Sequence, residues 1–313
     1  MKKTLTLFLV GLTGILSTMN AQVTEAEAML KKKSTATDNV WMKGATTGVN
    51  MSQTALVNWA AGGQESVSMN AYLNAFANYK KGKLAWDNML NVGYGILKQK
   101  TDAYYMKTDD KVDILSKIGV EAFKNFYYAG LVNFKTQMDN GYKYPDVNTE
   151  ISRFMAPAYV TAAFGMDFKP DAYISAFLAP VTGKMTIVND DVLASAGAFG
   201  VDPGKTTRSE FGGYLRCIYS RSDFKPEWLK NVALTTKVDL FSNYLHNPQN
   251  VDVNWENMIA MKVNKYISVN LSTHLIYDDD VRFEVLNDDG VTTRKVAKLQ
   301  FKEIFGAGVS FKF

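Results

Sequence analysis

From Thr46 to its last residue the chain alternates apolar and polar side chains at a period of two, and this pattern leaves few folds open. Successive side chains of an extended strand point to opposite faces. Such a segment therefore buries one face in something apolar and shows the other to something polar. Residues 299–313 give the cleanest case. Leu299, Phe301, Phe305, Ala307, Val309, Phe311 and Phe313 share one face, with Glu303 as the one charge among them. Lys298, Gln300, Lys302, Gly306, Gly308, Ser310 and Lys312 share the other, with Ile304 as the apolar exception.

Eleven earlier segments repeat the pattern. The first carries Val49, Met51, Ala55, Val57 and Trp59 on one face, and the second Val67, Met69, Leu73 and Tyr79. Segments around Trp86–Ile96, Ile114–Ala122, Tyr128–Met138 and Phe154–Phe168 follow, then a seventh near residues 173–181 whose phase is ambiguous. Those around Phe211–Tyr219, Val232–Leu240, Val251–Val263 and Ile267–Tyr277 complete the set. Most run to ten residues or more, against about five or six for a strand in a soluble sheet. Connections alternate as well. Quick turns at Lys81-Gly82, Asn125, Lys169-Pro170-Asp171, residues 223–226 and Asn264-Lys265 take turns with longer loops at 99–110, 139–153, 189–207 and 278–297.

Long tilted strands with short turns on one side and long loops on the other describe a transmembrane barrel. The expected fold is all-β: a transmembrane antiparallel up-and-down β-barrel of about twelve strands. A soluble lipocalin-like barrel or sandwich would explain the period but neither the strand length nor the loop alternation.

The ends of the chain fit the same address. Lys2 and Lys3 precede an apolar run at 5–16 that is too short to span a bilayer, so residues 1–21 read as a cleaved signal peptide ending at Ala21. Gln22 follows the expected cleavage site, which argues against a lipid-anchored cysteine. Residues 22–44 are expected to form an N-terminal periplasmic segment and residues 45–313 the barrel, with both termini periplasmic. The terminal Phe313 resembles the C-terminal assembly signal of bacterial outer-membrane β-barrels. That resemblance implies the outer membrane as location, with its lipid and the barrel assembly machinery as partners.

Residues 58–63, 108–111, 152–159, 180–190, 196–201, 239–248, 254–256 and 277–280 together resemble a family of uncharacterised Bacteroidota-type outer-membrane β-barrel proteins, a domain-of-unknown-function family. The resemblance covers nearly all of the chain after the leader. It implies fold and location and brings no activity with it.

Composition narrows the chemistry. Cys217 is the single cysteine, so neither an internal disulfide nor a cysteine metal cluster is available. A net charge of +4 over 313 residues gives no reason to expect nucleic acid. No cofactor is expected. Of the two histidines, His274 falls on the inner face of its strand with Ser268, Asn270 and Ser272. That is the wrong side for a lipid-facing hydrolase, and His246 sits in a loop, so an enzyme is not expected. The acidic stretch 278–290 could offer oxygen ligands to a divalent cation, although its spacing is not that of a helix–loop–helix calcium site.

The inner face carries the candidates. By the alternation it holds Asp87, Lys117, Glu121, Lys135, Asp167, Arg216, Lys237, Asp239, Glu256 and His274, together with Asn91, Asp113, Asn254, Asn270, Lys302 and Lys312. Acids and bases are mixed, so they either line a pore without a dominant sign or pair across the lumen and shut it. Loop 189–207, rich in Ala and Gly, is long enough to fold inward as a constriction. The leading functional expectation is passive passage or binding of a small polar solute through the lumen. The alternatives are a structural protein presenting its loops to a partner or glycan and, less well supported, an outer-membrane hydrolase.

Overall fold

The computed structural model describes residues 40–56, 64–171, 173–264, 267–287 and 293–312. The expected signal peptide, residues 22–39, the motif at 58–63 and Phe313 lie outside them. Twelve strands form the wall: β1 (Val40–Thr54), β2 (Ser66–Lys81), β3 (Leu84–Gln99), β4 (Met106–Phe123), β5 (Phe126–Thr136), β8 (Ala158–Phe168), β9 (Ile174–Ile187), β10 (Thr207–Arg221), β11 (Val232–Asn243), β12 (Val251–Lys262), β13 (Ile267–Tyr277) and β16 (Gln300–Lys312). Two small hairpins decorate loops: β6 (Gly141–Tyr142) with β7 (Glu150–Ser152), and β14 (Arg282–Leu286) with β15 (Thr293–Ala297). Each wall strand pairs antiparallel with its sequence neighbours, and β1 closes on β16, giving an up-and-down barrel of twelve strands.

Every expected strand is present. The first begins earlier than the sequence suggested: residues 40–44, assigned above to the segment before the barrel, pair along β2 from Val40↔Lys80 onward. The fourth also begins early, at Met106, so Asp109 and Lys111 belong to the wall rather than to a loop. The ambiguous seventh has a physical cause. Ser175, Phe177 and Ala179 of β9 are buried inside the barrel, and then the phase flips to Thr182 and Thr186. Its register against β10 jumps from Ala179↔Tyr214 to Thr182↔Gly212, so Pro180 and Val181 form a bulge. A proline, having no N–H to leave unpaired, suits that position.

Outward side chains are apolar and exposed, among them Val49, Ile118, Val120, Val132, Phe164, Leu178 and Phe305. Aromatic rings gather at the end with the short turns. Trp41 lies 5.2 Å from Tyr79 and 5.6 Å from Trp86, and Phe126 stacks between Phe123 and Phe168 at 4.6 and 4.5 Å. Some polar groups on this wall satisfy each other: Trp86 Nε1 donates to Ser116 Oγ at 2.9 Å, and Ser116 Oγ to Asn88 Oδ1 at 2.8 Å. An apolar band edged by aromatics is what a surface solvated by lipid requires.

The loop end is built differently. In loop 189–207, Asp190 caps the short helix α1 (Asp191–Ser195) by accepting from Leu193 N–H at 2.9 Å and takes Arg153 Nη1 at 2.9 Å from the neighbouring loop. Leu193, Ala194 and Val201 then pack on Ala156 and Val188. The loop does lean over the mouth: Arg208 bonds Asp280, beyond the far end of β13, as well as the carbonyl of Gly200. The Leu193 amide and Arg153 hold the Asp190 carboxyl below the usual carboxylate range. A lowered pKa contributes stability above the ordinary value of about 3.9 and loses it as pH falls through the folded value. Asp190→Ala is expected to loosen this loop by about 1 kcal/mol, the usual worth of a helix cap. Limited proteolysis should cut the variant within 189–207 several-fold faster at pH 7, and the parent should approach that rate only below about pH 4.

Candidate functional site

Because every second residue points inward, twelve strands deliver a large set of side chains to one lumen, and these sort into three levels. On the side formed by β3 to β11 the lumen has an apolar core: Met89, Leu115, Leu131, Phe177, Tyr214 and Phe241 are buried together with three alanines. Charges are threaded through that core and pair across it.

Near the turns, Lys117 Nζ meets Asp167 Oδ2 at 2.5 Å, and Lys169 reaches Asp87 at 2.6 Å and Asp167 at 3.4 Å. Ser175 donates to the other Asp167 oxygen at 3.1 Å. Glu121 shares the inner face of β4 nearer the turns, apart from these pairs.

At mid-height, Asp239 accepts from Tyr214 Oη at 2.6 Å and from Arg216 at 3.2 Å, with Lys135 at 3.8 Å. Lys237 lies 2.8 Å from Glu256 and 3.9 Å from Asp113, whose other oxygen accepts from Asn133 at 2.6 Å. Lys111 closes the set at 2.7 Å from Glu256. Lys111 on β4 and Glu256 on β12 stand six places apart in the ring of twelve, which is as far apart as two strands can be. One ion pair therefore spans the whole lumen.

At the loop end, Lys184 meets Asp252 at 2.7 Å, Glu210 at 3.5 Å and Asp278 at 3.6 Å, and Lys302 meets Asp109 at 2.7 Å. Among the described residues of the acidic stretch, the three aspartates 278–280 turn to different partners. Asp278 and Asp280 turn to Lys184 and Arg208, and Asp279 accepts from Asn250 at 2.8 Å.

The other half of the lumen, toward β12, β13, β16, β1 and β2, is not filled by the described residues. A cavity of about 140 Å³ lies there, lined by Asn50, Asn70, Tyr72, Asn74, Asn91 and Asn270, with Ser272, His274 and Ile304. Lys111–Glu256 and Lys302–Asp109 form part of its wall. His274 sits inside the barrel, 2.6 Å from Asn254 Oδ1, while His246 pairs with Asn247 in a loop at 3.2 Å. Asn91 Oδ1 is buried and has no donor among the described residues. A buried acceptor left unmet costs about 1–3 kcal/mol, so this part of the wall is polar and under-satisfied.

Asp87, Lys117, Lys135, Asp167, Arg216, Lys237, Asp239, Glu256 and His274 take part in these contacts, while the side chain of Lys312 lies outside the described residues. Sequence reasoning missed Asp109 and Lys111, which it left beside or within a loop, and Lys169, which sits in a turn. It missed Lys184 because the bulge in β9 hides its phase.

Compared with known proteins, residues 51–142 match a family described as a protein of unknown function (DUF3078). That stretch includes the motifs at 58–63 and 108–111 but none of the later segments on which the wider resemblance was read. No curated protein sequence matches the chain. Among solved structures, the chain is similar to an outer membrane channel from Pseudomonas putida F1, at 10% identity over 89% of this chain and 97% of that one, with a TM-score of 0.39. It is also similar to the translocator domain of the autotransporter NalP from Neisseria meningitidis, at 9% identity, 92% of both chains and a TM-score of 0.32. The TodX monoaromatic hydrocarbon channel aligns at 9% identity over 92% of this chain and 94% of that one, with a TM-score of 0.29.

Proposed function

We propose that this barrel sits in a bacterial outer membrane, short turns toward the periplasm, and takes up a small uncharged polar solute in its asparagine-lined cavity, passing it only when the cross-lumen ion pairs part. The carrying observation is the Lys111–Glu256 pair, 2.7 Å long, which ties opposite strands and forms one wall of the cavity. Each carboxamide offers two donors and an acceptor, so a ring of asparagines suits hydroxyl or amide groups without favouring either charge. Cavities near 150 Å³ hold molecules the size of benzene, which points to a solute of about three to six heavy atoms.

The paired charges also explain why a lumen rich in ionised groups need not conduct freely: cations and anions neutralise each other where a pore would carry a field. Swelling of proteoliposomes in glycerol tests this reading. The parent should admit glycerol slowly, Lys111→Ala/Glu256→Ala should admit it at least several-fold faster, and Asn91→Leu should slow the parent. If the double variant swells no faster than the parent, the strut is no barrier and the reading falls. A second reading, in which the loops meet a partner, draws on the ordered packing of loop 189–207 against Ala156 and Val188.

A further inference from the structure

The wall is not equally sealed all round. Eleven of the twelve strand interfaces carry ten to sixteen paired positions each. The closing interface between β1 and β16 carries five among the described residues, from Thr46↔Lys312 to Asn50↔Gly308. Beyond that rung, among the described residues, 51–54 of β1 pair only with β2, and 302–307 of β16, which lie opposite 51–56, pair only with β13. Six residues of a strand extend about 20 Å at the usual rise, so an unpaired backbone edge runs upward from mid-wall.

That edge borders the cavity. Asn50, the last residue of β1 paired with β16, and Lys302 and Ile304 of the stretch not paired with β1 all line it. At the foot of the gap Asn270 donates to Asn50 at 3.3 Å across the inside of β16. The crossing is possible because Gly306 stands between them: a Cβ there would lie 3.2 Å from that of Asn50.

Two further observations concern what the gap meets. On its outer flank Val49, Met51, Phe301 and Phe305 are exposed, an apolar rim around a polar backbone edge. Glu303 stands in the same outward row, opposite Thr273 in an unbroken register, so no bulge turns it inward. A carboxylate on a lipid-facing wall is unfavourable, as are backbone N–H and C=O groups without partners in hydrocarbon. Both are accommodated where polar groups from the lumen reach the membrane side.

We infer that the barrel has a lateral portal between β1 and β16 through which an amphiphile from the surrounding bilayer reaches the cavity, polar end among the asparagines and apolar chain out between Ile304 and the phenylalanine rim. The inference rests on the barrel spanning a membrane but not on axial passage of a polar solute. Glycerol swelling reads the axial route, whereas the following measurements read the wall, so the two fail separately.

The parent for these variants is Cys217→Ala, reconstituted in phosphatidylcholine vesicles. In Val49→Cys/Val309→Cys the cysteines occupy a paired rung and should oxidise to a disulfide. In Met51→Cys/Ala307→Cys they occupy the position where the next outward rung would fall, and they should remain free. Equal oxidation of both pairs would mean that the wall is zipped and would overturn the portal. Next, an uncharged bimane fluorophore is placed on Ile304→Cys and, as a control across the same cavity, on Met258→Cys. Phosphatidylcholine with brominated acyl chains should quench the label at 304 at least threefold more than that at 258. Equal quenching would show that acyl chains do not reach the portal.

Discussion

Gly165→Ala is expected to abolish the folded barrel, seen as loss of the heat-modifiable band on electrophoresis and of protection from protease in vesicles. Gly165 is inward on β8, where β9 carries its bulge and the register steps from Phe164↔Val181 to Met166↔Leu178. A Cβ built there would lie 2.0 Å from the carbonyl oxygen of Leu178 and 2.5 Å from the Cα of Ala179. Those are backbone atoms of a strand paired on both sides, so no rotamer change relieves the overlap. Forcing a methyl into such a site costs about 3 kcal/mol or more, which few barrels can absorb without losing closure. Gly183→Ala is the matched control: it lies on β9 just past the same bulge, faces outward, and its Cβ would meet nothing within 4 Å. It should leave the band unchanged. Loss of both would mean that the effect is general strand propensity. Survival of Gly165→Ala would mean that the bulge relaxes freely.

The same bulge shows where sequence reasoning stops. Strand existence, number and facing are local properties: a period of two is visible wherever the register runs true, as along Ala163, Gly165 and Asp167 of β8. It fails where an extra residue enters, as at Pro180 and Val181, and the error propagates to Lys184, a hub of the loop-end ion pairs. Facing also says nothing of partners. Lys111 and Glu256 are 145 residues apart in sequence and six strands apart in the ring, and only the closed barrel brings their side chains together. The short β1–β16 interface was likewise hidden, because the alternation in residues 299–313 is perfect on the outer face apart from Glu303. Glu303 itself was the legible irregularity: a charge in an apolar row calls for the interface, a partner or a bulge, and the unbroken register opposite Thr273 removes the bulge.

Lys237→Met should lower the stability of the barrel by about 3–5 kcal/mol, read from urea unfolding in lipid vesicles, the usual result of stranding a buried charge. Lys237 is 2% exposed and Asp113 is fully buried at 0%. The two carboxylates it serves are not equally dependent on it. Glu256 retains Lys111 at 2.7 Å, whereas the Oδ2 of Asp113 has no hydrogen-bond donor among the described residues and keeps Lys237 at 3.9 Å and Lys135 at the facing position of β5. Part of the loss should therefore come from Asp113, which Lys135 alone would then face, and Lys237→Met/Asp113→Asn should recover that part. The coupling between the two changes in a double-mutant cycle then measures how dry this part of the lumen is. A large coupling means that the apolar core around Leu115, Leu131 and Tyr214 excludes water and that solute must travel on the asparagine side. A coupling near zero means that water already reaches Asp113, in which case the ion pairs would be lining rather than struts and the barrier to passage would have to lie at the mouth, where Arg208 holds Asp280.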